Sequence, residues 1–259
     1  MEFHKYHGNG NDFILIDNRK GIANLSSGKI AALCHRRFGV GADGLILLNK
    51  NSGFDFEMKY YNSDGNESTM CGNGGRCIIK FSRELGIIDE RARFLAIDGP
   101  HEGIIEKNGM VMLKMNDVNS YQTAGDDFII NTGSPHYVKF VKNVDKVNVF
   151  AEGKRIRYQR EFAKEGINVN FVEAVDLKFK VRTYERGVED ETLSCGTGVV
   201  AAALIGSMKL GKKEKKQTIH LDTPGGKFQV TFEKKNDTAF TNIWLTGGAE
   251  FVFKGEIQI

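Results

Sequence analysis

The sequence predicts an α/β (α+β) protein of two similar units, each a strongly bent, mostly antiparallel sheet wrapped around a central helix. Three observations carry that expectation. A cysteine opening a glycine-rich turn occurs twice, in Met70-Cys71-Gly72-Asn73-Gly74-Gly75-Arg76 and in Leu193-Ser194-Cys195-Gly196-Thr197-Gly198. Each turn follows a strand-like run that ends in polar residues and leads into an apolar segment. The second segment, Val199-Val200-Ala201-Ala202-Ala203-Leu204-Ile205, is apolar on every face, so a helix there must be buried all round.

In the first half, strands are expected at 12–17, 45–48, 54–61 and 93–97, with a hairpin over 103–115. Asn108-Gly109 suits the positive φ angles of a two-residue turn at its tip. A helix beginning at Ser26 or Ser27 carries Ile30, Leu33, Cys34 and Phe38 at helical spacing and is expected to end at Gly39. A second helix starts at the Cys71 turn and stops near Gly86, with Ile78, Phe81 and Leu85 as its buried stripe. A polar stretch over 116–127 separates the halves. Strands at 128–131 and 137–141, a helix over 150–162 and strands at 167–174 and 179–184 then lead to the Cys195 turn. Four more strands, at 218–221, 227–232, 240–245 and 250–253, are enough to curl a sheet around the helix that follows it. The expected domains are 1–115, carrying Cys71, and 116–250, carrying Cys195, with 251–259 a candidate addition to the first.

At 259 residues the chain can bury two ordinary cores. Lys and Arg total 36 against 33 for Asp and Glu, and the basic residues are scattered apart from Lys212-Lys213-Glu214-Lys215-Lys216. That run reads as a solvated loop after a helix end, not as a nucleic-acid site. Cys34, Cys71, Cys77 and Cys195 form no disulfide framework and no metal-ligand spacing. Cys34 and Cys77 lie on helix faces where packing explains them. No apolar leader or membrane-length stretch occurs, so a cytoplasmic protein without membrane or nucleic-acid partners is expected. Gly39-Val40-Gly41-Ala42-Asp43-Gly44 matches a dinucleotide fingerprint, but a helix precedes it and a strand follows, leaving no helix N-terminus for a pyrophosphate.

A thiol at a helix N-terminus sits beside unpaired N–H groups and the positive end of the helix dipole, which favour thiolate and attract a carboxylate. If the two helix ends face one another, one thiolate and one thiol flank a small anionic substrate, removing a proton on one face and returning one on the other. Buried structural thiols are the plain alternative for Cys71 and Cys195. The shared glycine turns and their repetition argue against it. Elsewhere the plain roles are a turn for Asn11 and for Asn62, a satisfied loop histidine for His136, and a surface ion pair for Glu185-Arg186. Arg186 nevertheless offers a planar fork to a carboxylate and Glu185 an acceptor to an ammonium, together able to read an amino-acid head group. Asn168 occupies a strand, where asparagine is disfavoured.

Asn11, the 70–77 segment, Ser134-Pro135-His136, Asn168 and the 184–198 segment together resemble the diaminopimelate epimerase family over nearly the whole chain. The resemblance implies a cofactor-independent, metal-free isomerase of two pseudo-symmetric domains, a homodimer, interconverting LL- and meso-diaminopimelate for lysine and peptidoglycan synthesis. It implies Cys71 and Cys195 as the two catalytic bases, with Gly72, Asn73, Gly196 and Thr197 around the reacting carboxylate. Asn62, Asn168 and Arg186 would hold the distal carboxylate, Glu185 an ammonium group, and Asn11 a polar contact, with His136 in support. Two departures stand out: the family often has asparagine where this chain has Ser134, and glutamine where it has Gly44.

Without an electron sink, charge developing at Cα must be held electrostatically, a task for helix N-termini aimed at the α-carboxylate. The pair must share one proton, which gives a bell-shaped pH dependence, and two thiols that close could oxidise to a disulfide. A proline or hydroxyproline racemase is the nearest rival, being similar in using two cysteines. A thiol-disulfide redox protein and a non-catalytic amino-acid-binding module are rivals of other classes.

Overall fold

A computed structural model describes residues 1–211 and 214–258, so Lys212 and Lys213 of the lysine-rich run lie outside the described residues. The chain divides into two compact units, Met1–Leu113 with Gly247–Ile259, and Lys114–Thr246.

The first unit opens with β1 (Glu2–Gly8) and β2 (Asn11–Asp17), joined by a tight turn in which Asn9 and Gly10 both have positive φ, at 51° and 86°. Asparagine and glycine tolerate that backbone, and its twist matches the flanking strands. Helix α1 (Ser27–Cys34) follows, then β3 (Gly44–Asn49), β4 (Phe56–Asn62), the short β5 (Glu67–Ser68), α2 (Gly72–Glu84), and β6 (Arg91–Ala96), β7 (Gly99–Ile105) and β8 (Val111–Lys114). Strand β2 pairs in parallel with β3 and β4 with β6, while the β1–β2, β3–β4, β4–β5, β6–β7 and β7–β8 pairs are antiparallel. Helix α2 packs on β1, β2, β3 and β7 and is the central helix of this unit. The other sheet face is sealed by α1, whose Ile30 and Cys34 pack with Ile14, Ile16, Leu45 and Leu47. Burial on both faces explains why 13–16 and 45–48 read as unbroken apolar runs.

The second unit contains β9 (Tyr121–Ala124), β10 (Asp127–Asn131), β11 (Pro135–Phe140), α3 (Val149–Arg157), β12 (Asn168–Val175), β13 (Lys178–Glu185), β14 (Asp190–Thr192), α4 (Gly196–Lys209), β15 (Lys216–Thr223), β16 (Gly226–Lys234) and β17 (Phe240–Gly247). Its pairing repeats that of the first unit step for step. The β10–β11 pair is antiparallel, β11–β12 parallel, β12–β13 and β13–β14 antiparallel, β13–β15 parallel and β15–β16 antiparallel. Helix α4 is the buried central helix, and α3 seals the outer face through Val149 and Ile156 against Tyr137, Val169, Phe171 and Tyr184. Strand β18 (Glu250–Glu256) returns to the first unit and pairs antiparallel with β1.

Four local expectations are corrected. Helix α1 stops at Cys34 rather than Gly39: His35 turns to extended backbone, Gly41 and Ala42 donate to the carbonyls of Leu33 and Cys34, and Phe38 is 89% exposed. Arg36 is drawn from the helix path to bridge Asp12 and Asp43. Helix α3 ends at Arg157, where Arg157 Nε meets Glu189 at 3.2 Å, and turns occupy the rest of the expected helix. The β7–β8 hairpin is not closed by a two-residue turn. Gly109 N–H donates to Glu106 O and Gly109 alone takes positive φ, which is a type I turn followed by a left-handed glycine. Finally, the polar stretch before residue 127 contains β9, and Val118 bridges to Phe240 within the second unit.

Candidate active site

In both units the cysteine stands at the same node of the strand pattern, between the short strand and the central helix. Cys71 is the N-cap of α2 (φ −88°, ψ 130°) and Cys195 the N-cap of α4 (φ −117°, ψ 111°). Neither side chain caps its helix; the first helical hydrogen bonds run from Gly75 N to Cys71 O and from Val199 N to Cys195 O, at 2.7 and 2.9 Å. The first-turn N–H groups beyond each thiol therefore have no partner within their helix, which suits a negatively charged group. All four cysteines are free thiols. Cys34 and Cys77 are buried, and burial pushes the Cys34 thiol up to about 11 and that of Cys77 further upward, as expected of packing residues.

Around Cys71, Asn11 from the start of β2 places Oδ1 3.6 Å from Sγ, and Asn73 Nδ2 donates to that same Oδ1 at 3.3 Å. Arg76, one turn on, is fully buried. Its guanidinium donates to Asn73 Oδ1 at 2.8 Å, Asn9 Oδ1 at 2.9 Å, Gly72 O at 3.2 Å and Gly248 O at 3.3 Å. Burial pulls its pKa down to about 10, so the charge persists at neutral pH. Asn62 lies exposed at the end of β4, opposite Gly44, and its side chain makes no hydrogen bond among the described residues. At position 44 a Cβ would stand 2.6 Å from both the Tyr61 carbonyl oxygen and the Tyr60 ring, so the glycine is sterically required here.

Around Cys195, Thr197 Oγ1 lies 3.6 Å from Sγ and 2.9 Å from His136 Nε2. Thr132 Oγ1 donates to Thr197 O at 2.8 Å. Asn170, mid-strand and fully buried, donates through Nδ2 to Tyr137 O at 3.0 Å and meets His136 Nδ1 at 3.1 Å, while Thr183 Oγ1 donates to its Oδ1 at 3.0 Å. A carbonyl can only accept, which fixes the amide; His136 Nδ1 is then the acceptor and Nε2–H the donor to Thr197. Burial, with a smaller push from Arg186, lowers His136 to about 3, so the ring is neutral at pH 7.

The remaining residues of the second unit gather beside it. Asn168 Nδ2 donates to Ser134 Oγ at 2.9 Å and Pro135 O at 3.1 Å, and its Oδ1 accepts from the Arg186 backbone N at 3.0 Å. Serine thus retains a polar contact where asparagine is frequent. Arg186 Nη1 donates to Glu165 O at 2.8 Å, and Glu185 Oε2 accepts from Thr192 Oγ1 at 2.9 Å. Arg76, Asn9, Asp43, Asn170 and Thr183 were not among the sequence-derived site residues. Asn170 had a signal, a second asparagine in the otherwise apolar strand Asn168-Val169-Asn170-Phe171; Asn9 and Asp43 had none. Among the described residues no three His, Cys, Asp or Glu side chains converge as metal ligands.

A diaminopimelate epimerase family profile matches residues 3–120 and 128–252. The chain is 49% identical to a diaminopimelate epimerase of Flavobacterium psychrophilum, over 99% of this chain and 100% of that one. It is 42% identical to one from Chlorobaculum tepidum, over 97% and 99%. Among solved structures, a phenazine biosynthesis protein of the PhzF family from Bacillus anthracis superposes with a TM-score of 0.77 at 17% identity, covering 100% and 99% of the two chains. A hydroxyproline epimerase from Agrobacterium vitis, with bound trans-4-hydroxy-L-proline, superposes with a TM-score of 0.69 at 14% identity, covering 98% and 91%. At such identities these two structures speak for the fold alone. Profile and full-length relatives together place this chain in the diaminopimelate epimerase family.

Proposed function

We propose that this protein is an isomerase that converts LL-diaminopimelate to meso-diaminopimelate without a cofactor, with Cys71 and Cys195 as its two acid–base groups. The observation that carries the reading is the recurrence of an N-cap thiol at one node of a repeated strand pattern, in a chain of this family. One thiolate takes the α-hydrogen as a proton; the electron pair left on Cα is delocalised into the α-carboxylate, where helix N–H groups of Gly72, Asn73, Gly196 and Thr197 stabilise the added charge. The other thiol delivers its proton to the opposite face of Cα. Stereochemistry is inverted, and the two sulfurs have exchanged protonation states. Arg186, Asn62 and Asn168 serve the distal carboxylate and Glu185 an ammonium group. Asn168 acts largely by fixing Ser134 and the Arg186 backbone, given that both ends of its amide are engaged. His136 supports Thr197.

The test is direct. Purified protein, free of pyridoxal phosphate, is incubated with LL-diaminopimelate and the meso isomer followed by chiral chromatography, with L-proline and trans-4-hydroxy-L-proline in parallel. Conversion of diaminopimelate alone is expected; conversion of a proline substrate instead would overturn the reading. No helix among the described residues is long and apolar enough to cross a membrane. A cytoplasmic homodimer accords with the family, and light scattering in solution tests the dimer.

A further inference from the structure

We propose that Asp43 is a positioning residue: by holding Asn11 Nδ2, it turns the Asn11 amide so that Oδ1, an acceptor only, faces the Cys71 sulfur and favours its protonated form. The inference rests on the reading of Cys71 as a reacting thiol, and the chain of hydrogen bonds behind it has one direction throughout. At one end the Arg76 guanidinium can only donate, so the atom of Asn73 facing it, at 2.8 Å, is the oxygen. The Asn73 nitrogen is thereby turned outward and donates to Asn11 Oδ1 at 3.3 Å. At the other end the Asp43 carboxylate accepts from Arg36 on one oxygen and from the Asp12 backbone N–H on the other, so the atom of Asn11 facing that second oxygen, at 2.7 Å, is the nitrogen. Arg36 bridges Asp43 at 2.6 Å and Asp12 at 2.7 Å, so a donor also faces the other oxygen of that carboxylate. A cation and a carboxylate thus hold two amides between them, and neither can flip without setting donor against donor or acceptor against acceptor.

The consequence falls on Cys71, whose Sγ lies 3.6 Å from the oxygen so presented. A thiol can donate to it; a thiolate there faces a lone pair. The helix N-terminus pulls the other way, as does the charge of Arg76. The other charged or titratable groups on the elements packed around this end of α2 are Lys5 and His7 on β1, Asp12 on β2, Arg36 after α1, the Asp98–His101 pair before and within β7, Cys77 on α2 and Glu250 on β18. None of these residues is altered when Asp43 alone is changed, so a variant at this position changes only the orientation of Asn11 and the charge of Asp43, which salt separates.

In Asp43→Asn, the charged Arg36, now at 2.6 Å, outcompetes the neutral Asp12 N–H, at 3.3 Å, for the amide oxygen of the new residue and turns its NH2 toward Asn11. Asn11 then presents Oδ1 to that group and Nδ2–H to Cys71. The readout is the rate at which iodoacetamide alkylates each cysteine, followed peptide by peptide by mass spectrometry across pH 5–9. About tenfold faster alkylation of Cys71 at neutral pH is expected, with its midpoint shifted down by about one unit and Cys195 unchanged. Loss of a half-exposed negative charge would also speed Cys71, but that effect is screened by salt. The acceleration must therefore persist at 1 M NaCl. Unchanged or slower alkylation of Cys71, or an acceleration abolished by salt, overturns the proposal. Should Asp43→Asn not fold, Asp43→Ser, which cannot hold the amide and the guanidinium together, is read in the same way. Alkylation reports on the thiol whatever the substrate, so absence of epimerase activity would count against the proposed function and leave this inference standing.

Discussion

The two cysteine sites share a backbone and differ in what lies beneath it. Strand registers align Phe13, Ile46 and Tyr60 of the first unit with His136, Asn170 and Thr183 of the second. Under α2 the platform is apolar: a Cβ on Gly74 would meet Ile46, Met58 and Phe13. Under α4 it is polar and neutral: a Cβ on Gly198 would meet Asn170 Oδ1 at 2.3 Å. Charge is distributed in the opposite sense. The fifth residue after Cys71 is the buried Arg76, whereas the fifth after Cys195 is Val200, within the apolar run Val199–Ile205 of α4. The first unit builds polarity into its helix and the second into its sheet, so the two units share the position of the thiol and differ in its surroundings. On the proposed mechanism the two thiols hold opposite protonation states at any moment, which unlike surroundings would favour.

The largest effect that can break this comparison is loss of a thiol. Cys71→Ala and Cys195→Ala should each reduce epimerisation by at least about a thousandfold, as removal of an acid–base group does. Cys34→Ala and Cys77→Ala, which remove packing atoms only, should retain turnover, with melting temperature the property that falls. Activity surviving in either site variant would deny that thiol its role.

Next in size is the fit of α4 on its platform. Gly198→Ala should destabilise the second unit by about 1–3 kcal/mol, because the methyl must displace the pinned amide of Asn170. Denaturant unfolding measures it. An unperturbed midpoint would mean that Asn170 yields freely and that the His136 network is loose.

Arg186→Lys removes the planar fork while keeping the charge, and should raise KM for diaminopimelate more than it lowers kcat. Steady-state kinetics with wild-type constants would remove Arg186 from the distal contact.

The last effect is confined to acid. His136 in the folded protein titrates at about 3, below its ordinary value of 6.5, so the unfolded chain binds a proton there first. Its contribution to stability is present above pH 6.5 and is lost as pH falls from there toward 3. His136→Asn should flatten the dependence of unfolding free energy on pH between 6.5 and 4. An unaltered slope would mean that the ring takes a proton in the folded state.

These features were legible in the sequence to different degrees, for physical reasons. The cysteine turns were readable because everything that makes them is local: glycine frees the turn, and the apolar run after it fixes the helix. Two of the three Asn-Gly pairs show the limit of such reading. Asn9-Gly10 forms the two-residue turn that the dipeptide favours, while Asn108-Gly109 sits in a longer loop with only its glycine left-handed. The end of α1 was hidden because Arg36 answers to Asp12 and Asp43, partners that only the folded sheet brings near. The same holds for Asn170 and Arg76. Each can be seen to be polar in an apolar setting, but the atom each one satisfies depends on strand register.

The central claim is that two thiols work on one carbon from opposite sides, and solvent isotope exchange tests it most directly. Wild type and each cysteine variant are incubated with LL-diaminopimelate in deuterated water, and deuterium at Cα is followed in substrate and product separately. Wild type should place deuterium in the newly formed meso isomer, while Cys71→Ala and Cys195→Ala form none of it. Meso product formed at the wild-type rate by either variant would contradict the account.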